Sequence, residues 1–195
     1  MGISFLKTSY EGRTPIFWRG ECKVLPGGFK PLNALRAGSV LLSGTPLFVD
    51  FDNLTAAVVK VAKVLAGGTT TKVRVAKTHA FAAGDSVCKV GAEGTAVAIS
   101  SIDTTNAEYD VLNLASGLTG VASGDVVAEA GEGGTPKYAP NAVVAADLEV
   151  KDKLDTIDAA YEALVLKKNA HYPVLDAWVA GIALKDNPNI LFINQ

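Results

Sequence analysis

Few residues in this sequence are of a type that does chemistry, and their spacing argues against a catalytic centre. His79 lies close to Asp85, Ser86 and Cys88, which puts a base, an acid and two nucleophile types within ten positions. An activated thiolate needs a base aimed at it and an oxyanion site nearby, and three residue types so close together are a common accident. His171-Tyr172-Pro173 reads as a turn, with the histidine at the surface or in packing. Asp50-Phe51-Asp52-Asn53 sets two carboxylates on one face of an extended segment, yet it lacks the central Gly and distal Glu of a calcium loop. Glu132-Gly133-Gly134-Thr135-Pro136-Lys137 misses the phosphate-loop spacing, and Pro136 removes a backbone donor. Cys22 and Cys88 form neither a CxxC pair nor a zinc pattern. They read as two reduced thiols rather than a long-loop disulfide. No catalytic residue, cofactor or metal is predicted, and the chain reads as a non-enzyme.

Composition agrees with a binding or structural role. Of 195 residues, 49% are hydrophobic and 19% charged, enough apolar content for a real core. The net charge is −2, with Lys and Arg scattered singly, so the basic face expected of a nucleic-acid binder is missing. The first residues, Met1-Gly2-Ile3-Ser4-Phe5-Leu6-Lys7, lack the apolar stretch of a signal peptide. No run approaches the roughly 20 apolar residues of a membrane span. A soluble protein, not exported, with no nucleic-acid or membrane partner is expected.

The elements that must position any functional surface are strands. Thr71-Lys72-Val73-Arg74-Val75-Ala76 alternates strictly, with Lys72 and Arg74 on the wet face. Ser39–Leu42 and Pro46–Val49 flank the turn Ser43-Gly44-Thr45, and Ala57–Val64 alternates with Lys60 leaving one face. Further strands are predicted at Ser86–Val90, Thr95–Ile102, Tyr109–Leu114 and Asp125–Ala130. Phe81–Val87 and Val121–Val127 share the form apolar-Ala-small-Gly-Asp-x-Val, and Leu35–Val40 is a looser copy. Gly permits positive φ there and Asp bonds local backbone, so each copy makes a tight turn launching a strand. Short strands at this spacing predict a mainly β fold, an antiparallel β-barrel or β-sandwich, over residues 35–130. Residues 131–142 form a Gly/Pro-rich hinge and the best boundary. Residues 143–195 then form a small C-terminal α+β segment. Asp147–Asn169 is ambiguous between helix and strand, Val174–Leu184 reads as a short helix with Trp178 buried, and Asn189–Ile193 as a terminal strand.

Residues 1–34 differ. Phe5, Tyr10, Phe17, Trp18 and Phe29 are interspersed with Gly12, Pro15, Gly20, Pro26, Gly27, Gly28 and Pro31. Such breakers forbid a long helix, while exposed rings are too costly for a mere linker. An extended N-terminal arm, its rings buried against this chain's own core or another subunit, satisfies both facts. These five aromatics are the candidate contacts to a partner or another subunit.

Lys72–His79 with Phe81–Val87, Ala98–Leu112 and Ala122–Val127, then Tyr138–Asn141, Ala163–Lys167, Tyr172-Pro173 and Asn189–Phe192, resemble the head fiber and decoration proteins of tailed bacteriophages. The likeness runs from about Gly38 to the C-terminus, and the arm matches no pattern of the family. The resemblance implies a non-enzymatic virion protein on the outer surface of the capsid, made in the host cytoplasm, which stabilises the shell and supports surface attachment. It implies the major capsid protein as partner, a homo-oligomer (trimer before dimer), and contact with other head fiber proteins or a host surface. The alternative is a cell-surface or secreted β adhesin or glycan-binding module. A small hydrolase built on His79 and Cys88 is the third class.

Overall fold

Wherever β-branched residues alternate with polar ones the chain extends, and Gly-centred turns return it. The computed structural model describes residues 14–25, 28–92, 94–151 and 156–194. The first strands are β1 (Phe17–Val24), β2 (Lys30–Pro31), β3 (Val40–Leu41), β4 (Pro46–Asp50), β5 (Thr55–Val58) and β6 (Val61–Lys63). There follow β7 (Lys72–Ala76), β8 (Ser86–Lys89), β9 (Val97–Asp103), β10 (Tyr109–Leu114) and β11 (Val126–Glu129). The last are β12 (Ala142–Val144), β13 (Leu148–Glu149), β14 (Ala159–Leu166), β15 (Val179–Ala180), β16 (Ala183–Leu184) and β17 (Asn187–Ile193).

Among the described residues these form a nine-stranded sheet, a six-stranded sheet and the small pair β3–β13. The protein is mainly β and antiparallel, and neither large sheet closes into a barrel; the arrangement is sandwich-like. In the nine-stranded sheet the order is β15-β16-β17-β14-β12-β4-β5-β2, with β1 on β14. The six-stranded sheet runs β6-β11-β8-β9-β10-β7.

The sheets do not follow the boundary expected at 131–142. β4 and β5, which precede it, share a sheet with β12 and β14, which follow it. The six-stranded sheet is an excursion from that frame, leaving after β5 and returning before β12. The Gly/Pro segment is a packed turn rather than a joint between domains. Gly131 N–H bonds Thr135 O at 2.7 Å, Lys137 N–H bonds Glu129 O at 2.8 Å, and Gly134 is buried.

Two asparagines fasten this frame by imitating a strand. The Asn141 amide takes the Val49 N–H at 2.7 Å and donates to Val49 O at 2.8 Å. The Asn33 amide does the same to Val58, at 3.0 and 2.9 Å. Each amide satisfies both backbone groups of one residue that the ladder leaves open.

The repeated turns take the form read from the sequence. Gly84 and Gly124 stand at φ 92° and 94°. Asp85 Oδ2 accepts the Ala82 N–H and Asp125 Oδ2 the Ala122 N–H, both at 2.7 Å. The two turns launch β8 and β11, which pair antiparallel with each other. In the looser copy Gly38 has φ 76° and the Ser39 hydroxyl bonds Arg36 O at 2.6 Å.

Two local expectations are corrected. No α-helix forms over Val174–Leu184: a single 3-10 turn, Asp176–Trp178, leads into β15 and β16. Gly181 at φ 64° turns the chain back between those two strands, and β-branched Val179 suits the extended backbone. Trp178 is nonetheless buried as expected. The alternating run 57–64 is two strands, because the chain changes sheet at Val59-Lys60, and Lys60 is 1% exposed rather than on a wet face.

Among the described residues the apolar side chains gather in three clusters. One lies beneath the six-stranded sheet around Phe81, Ile99, Leu112 and Leu118, and one around Phe29, Leu47, Val58 and Ile157. The third joins the two sheets, with Val61, Cys88 and Ala128 of the excursion packed with Phe17, Val165, Trp178 and Ile190. Among the described residues no helix is long and apolar enough to cross a membrane.

Candidate interaction surface and buried ionic clusters

β1 lies antiparallel on β14, from Phe17 opposite Val165 to Val24 opposite Ala160. Between Phe17 and Cys22 the register slips: Cys22 faces Ala163, so β1 spends more residues than its partner over this stretch. The excess is taken up at Arg19 and Gly20, with φ 57° and 70°. Gly adopts that conformation freely, whereas Arg19 is strained in it. Such a bulge re-aims neighbouring side chains. Phe17 points inward and is 5% exposed, while Trp18, the next residue, is 36% exposed.

Trp18 thus stands at an open groove lined by Cys22, Lys23, Glu162, Leu164 and Leu191, among others. Leu164 and Leu191 are register partners of β14 and β17, and Leu164 is itself 36% exposed. Lys23 and Glu162 form an exposed ion pair at 2.7 Å in the lining.

Of the five aromatic candidates, Phe5 and Tyr10 lie outside the described residues. Phe17 and Phe29 are buried in this chain's own core, Phe29 with its ring edge-on to Phe51 at 6.0 Å. Both are therefore withdrawn as contacts, since a ring already packed at home has no surface to offer a partner. Among the described candidates, Trp18 alone remains at the surface. Sequence reasoning missed Leu164, and it missed a second apolar spot at Phe51 and Leu54, which are 54% and 61% exposed on the β4–β5 turn. The signal was present. Asp50 caps that turn, its Oδ1 accepting the N–H groups of Asp52 and Asn53, so Phe51 stands outside the ladder.

Among the described residues, the ionisable side chains of Lys60, His79, Asp110 and Glu129 are buried. Asp110, 1% exposed, accepts Lys77 Nζ at 2.8 Å on Oδ1 and Arg36 Nη1 at 2.9 Å on Oδ2. His79 Nε2 lies 3.1 Å from the same Oδ2. His79 Nδ1 is 3.1 Å from the Phe81 backbone nitrogen, whose N–H can only donate. Nδ1 is therefore the bare nitrogen and Nε2 carries the proton to Asp110. Burial, then the Arg36 guanidinium, holds His79 down to about 4, against the opposing pull of Asp110. Burial works to raise Asp110, but the hydrogen bonds from Lys77 and Arg36 outweigh it and keep its carboxyl below the usual range.

A second cluster centres on Lys60. Its Nζ bonds Ala34 O and Asp85 Oδ2, the latter at 2.6 Å, and stands 4.0 Å from Glu129 Oε2. Glu129 also accepts Lys137 Nζ at 2.8 Å and the Asn33 amide at 2.9 Å. Two cations and two carboxylates balance.

The pair weighed for nucleophilic catalysis does not form that machinery. Cys88 is fully buried, its Sγ facing Ala128 O at 3.8 Å, and burial pushes its thiol up. Both ring nitrogens of His79 are committed, to Phe81 and Asp110. Cys22 and Cys88 are both free thiols. His171 Nε2 meets Thr45 Oγ1 at 2.9 Å in a packing role. Among the described residues no three His, Cys, Asp or Glu side chains gather as metal ligands. No family model, curated protein or solved structure matches the chain.

Proposed function

We propose that this chain is a structural virion protein, a head fiber or decoration protein bound to the outside of a tailed-phage capsid. It stabilises the shell through its partner, the major capsid protein, as a homo-oligomer, trimer before dimer. One observation carries the reading: the β1 bulge holds Trp18 outward beside Leu164 at an open groove. An indole held out by strained backbone supports docking on a protein surface, because an aromatic ring at the centre of an interface contributes most of its energy. The groove is mixed in character: Trp18, Leu164 and Leu191 supply apolar surface, and Arg19, Glu21 and the exposed Lys23–Glu162 pair supply charge in the same lining. The likeness of the strand and turn motifs to phage head fiber and decoration proteins supports the capsid as that surface.

Covering the exposed part of the Trp18 ring and of Leu164 is worth about 2 kcal/mol per copy before ordering costs. That is weak for one chain and ample for several copies held together, since the second and third contacts form at high effective concentration. The test is addition of purified protein to heads lacking it, followed by sedimentation and by the oligomeric state in solution. Wild type is expected to co-sediment, and Trp18→Ala to be lost from the heads while keeping its fold. A monomer that ignores such heads would overturn the proposal.

A further inference from the structure

The Lys60 cluster has the composition of a reaction centre rather than of an ordinary ion pair. Lys60 follows β5, Asp85 sits in the Gly84 turn before β8, and Glu129 ends β11. Three separate elements thus deliver an amine and two carboxylates to one point. The side chains of Lys60, Asp85 and Glu129 are 0%, 8% and 7% exposed. Nζ and Asp85 Oδ2 are in contact at 2.6 Å, and Glu129 Oε2 is 4.0 Å from the same Nζ.

In water an ammonium and a carboxylate do not condense, because hydration of both ions outweighs the amide bond. Burial removes that hydration, and an ion pair so placed carries a desolvation cost that its attraction need not offset. Condensation abolishes both charges and releases one water. Fixed contact between the reacting groups supplies the proximity that makes such a step fast within a fold.

We propose that Lys60 and Asp85 become joined by an intramolecular isopeptide bond, with Glu129 as the proton carrier. Glu129 Oε2 takes a proton from the Lys60 ammonium and passes it to Asp85 Oδ1. The freed Nζ lone pair forms the N–C bond to Asp85 Cγ. A second proton leaves nitrogen by the same route, the Cγ–Oδ1 bond breaks, and Oδ1 departs as water. Asp85 Oδ2 stays as the amide carbonyl. The Ala82 N–H, 2.7 Å from it, meets the negative charge that develops there during attack. Two protons and one oxygen are lost, both charges vanish, and Glu129 ends as it began.

The molecule contains its own negative control. The second Gly-Asp turn presents Asp125 to Lys89 at 2.9 Å, where the side chains are 27% and 26% exposed. The turn and the pair are the same, but solvent reaches both ions, and no second carboxylate is paired with Lys89 among the described residues. That pair stays ionic.

The decisive measurement is the intact mass of the purified full chain under denaturing conditions, followed by peptide mapping. Wild type is expected one water lighter than its sequence, with a branched peptide linking the Lys60 and Asp85 segments. Lys60→Arg, which keeps the charge but not the amine, is expected at full sequence mass, as is Glu129→Gln with unchanged circular dichroism. Wild type at full sequence mass would overturn the proposal, whether or not either variant folds. So would a water loss confined to a linear peptide, as in a succinimide at an aspartate.

Discussion

Acidification should weaken this protein in a window set by His79. The folded ring is bare at Nδ1 because Phe81 donates its N–H there. A proton at Nδ1 would abolish that bond and oppose two N–H groups, beside Arg36, Lys77 and Lys60. The folded ring is held down to about 4, against 6.5 for the free side chain. In the unfolded chain the ring takes up its proton below about 6.5, while in the folded protein it does not do so until about 4. The unfolded state thus binds the extra proton, so stability falls as pH drops through this window and levels off below it. The full drop is about 3 kcal/mol, since each unit is worth about 1.4. The assay is urea unfolding at steps from about pH 7 to about pH 4, for wild type and for His79→Gln. That variant keeps an N–H for Asp110 but does not titrate, which isolates the histidine from the carboxylates. Wild type is expected to lose about 3 kcal/mol more than His79→Gln across the window. Parallel curves for the two proteins would refute the lowered titration of the buried His79 ring.

Three further outcomes are expected. Asp110→Ala strands Arg36, Lys77 and His79 around an empty position, and chemical denaturation should report a loss of about 3–5 kcal/mol. Gly134→Ala should lower stability by about 1–3 kcal/mol, read from the thermal midpoint. Gly134 has φ 72°, and a Cβ there would meet the Thr95 backbone nitrogen at 2.8 Å. Tyr172→Phe should leave stability unchanged or raise it by up to about 1 kcal/mol in the same assay, because the Tyr172 hydroxyl is buried without a hydrogen-bond partner among the described residues.

The strands β7, β9 and β10 of the excursion were legible because each has one wetter face. Tyr109–Leu114 and the Lys72–Ala76 alternation are found where period-two patterning puts them. The Gly-Asp turns were legible because the chemistry is local, confined to four residues. Sheet membership was not, since β4 meets β12 from nearly a hundred residues away and nothing in either strand names its partner. Lys60 was misread for a related reason. A lysine in an alternating strand signals solvent unless distant carboxylates cover it, and Asp85 and Glu129 arrive from other elements. Among the arm aromatics, Phe17 and Trp18 are adjacent in sequence yet take opposite sides, and the bulge beside them decides which ring is left for a partner.

The return of the excursion to its point of departure has a consequence for how such a protein changes over time. β6 and β11 lie antiparallel, Val61 beside Ala128 and Lys63 beside Val126, so the chain leaves the frame and rejoins it at neighbouring points. Whatever length is added or removed in the loops beyond them, the gap the frame must bridge stays the same. The six-stranded sheet is therefore a cassette. A change of length in its outer loops leaves the register of the frame, and of the surface around Trp18, as it was.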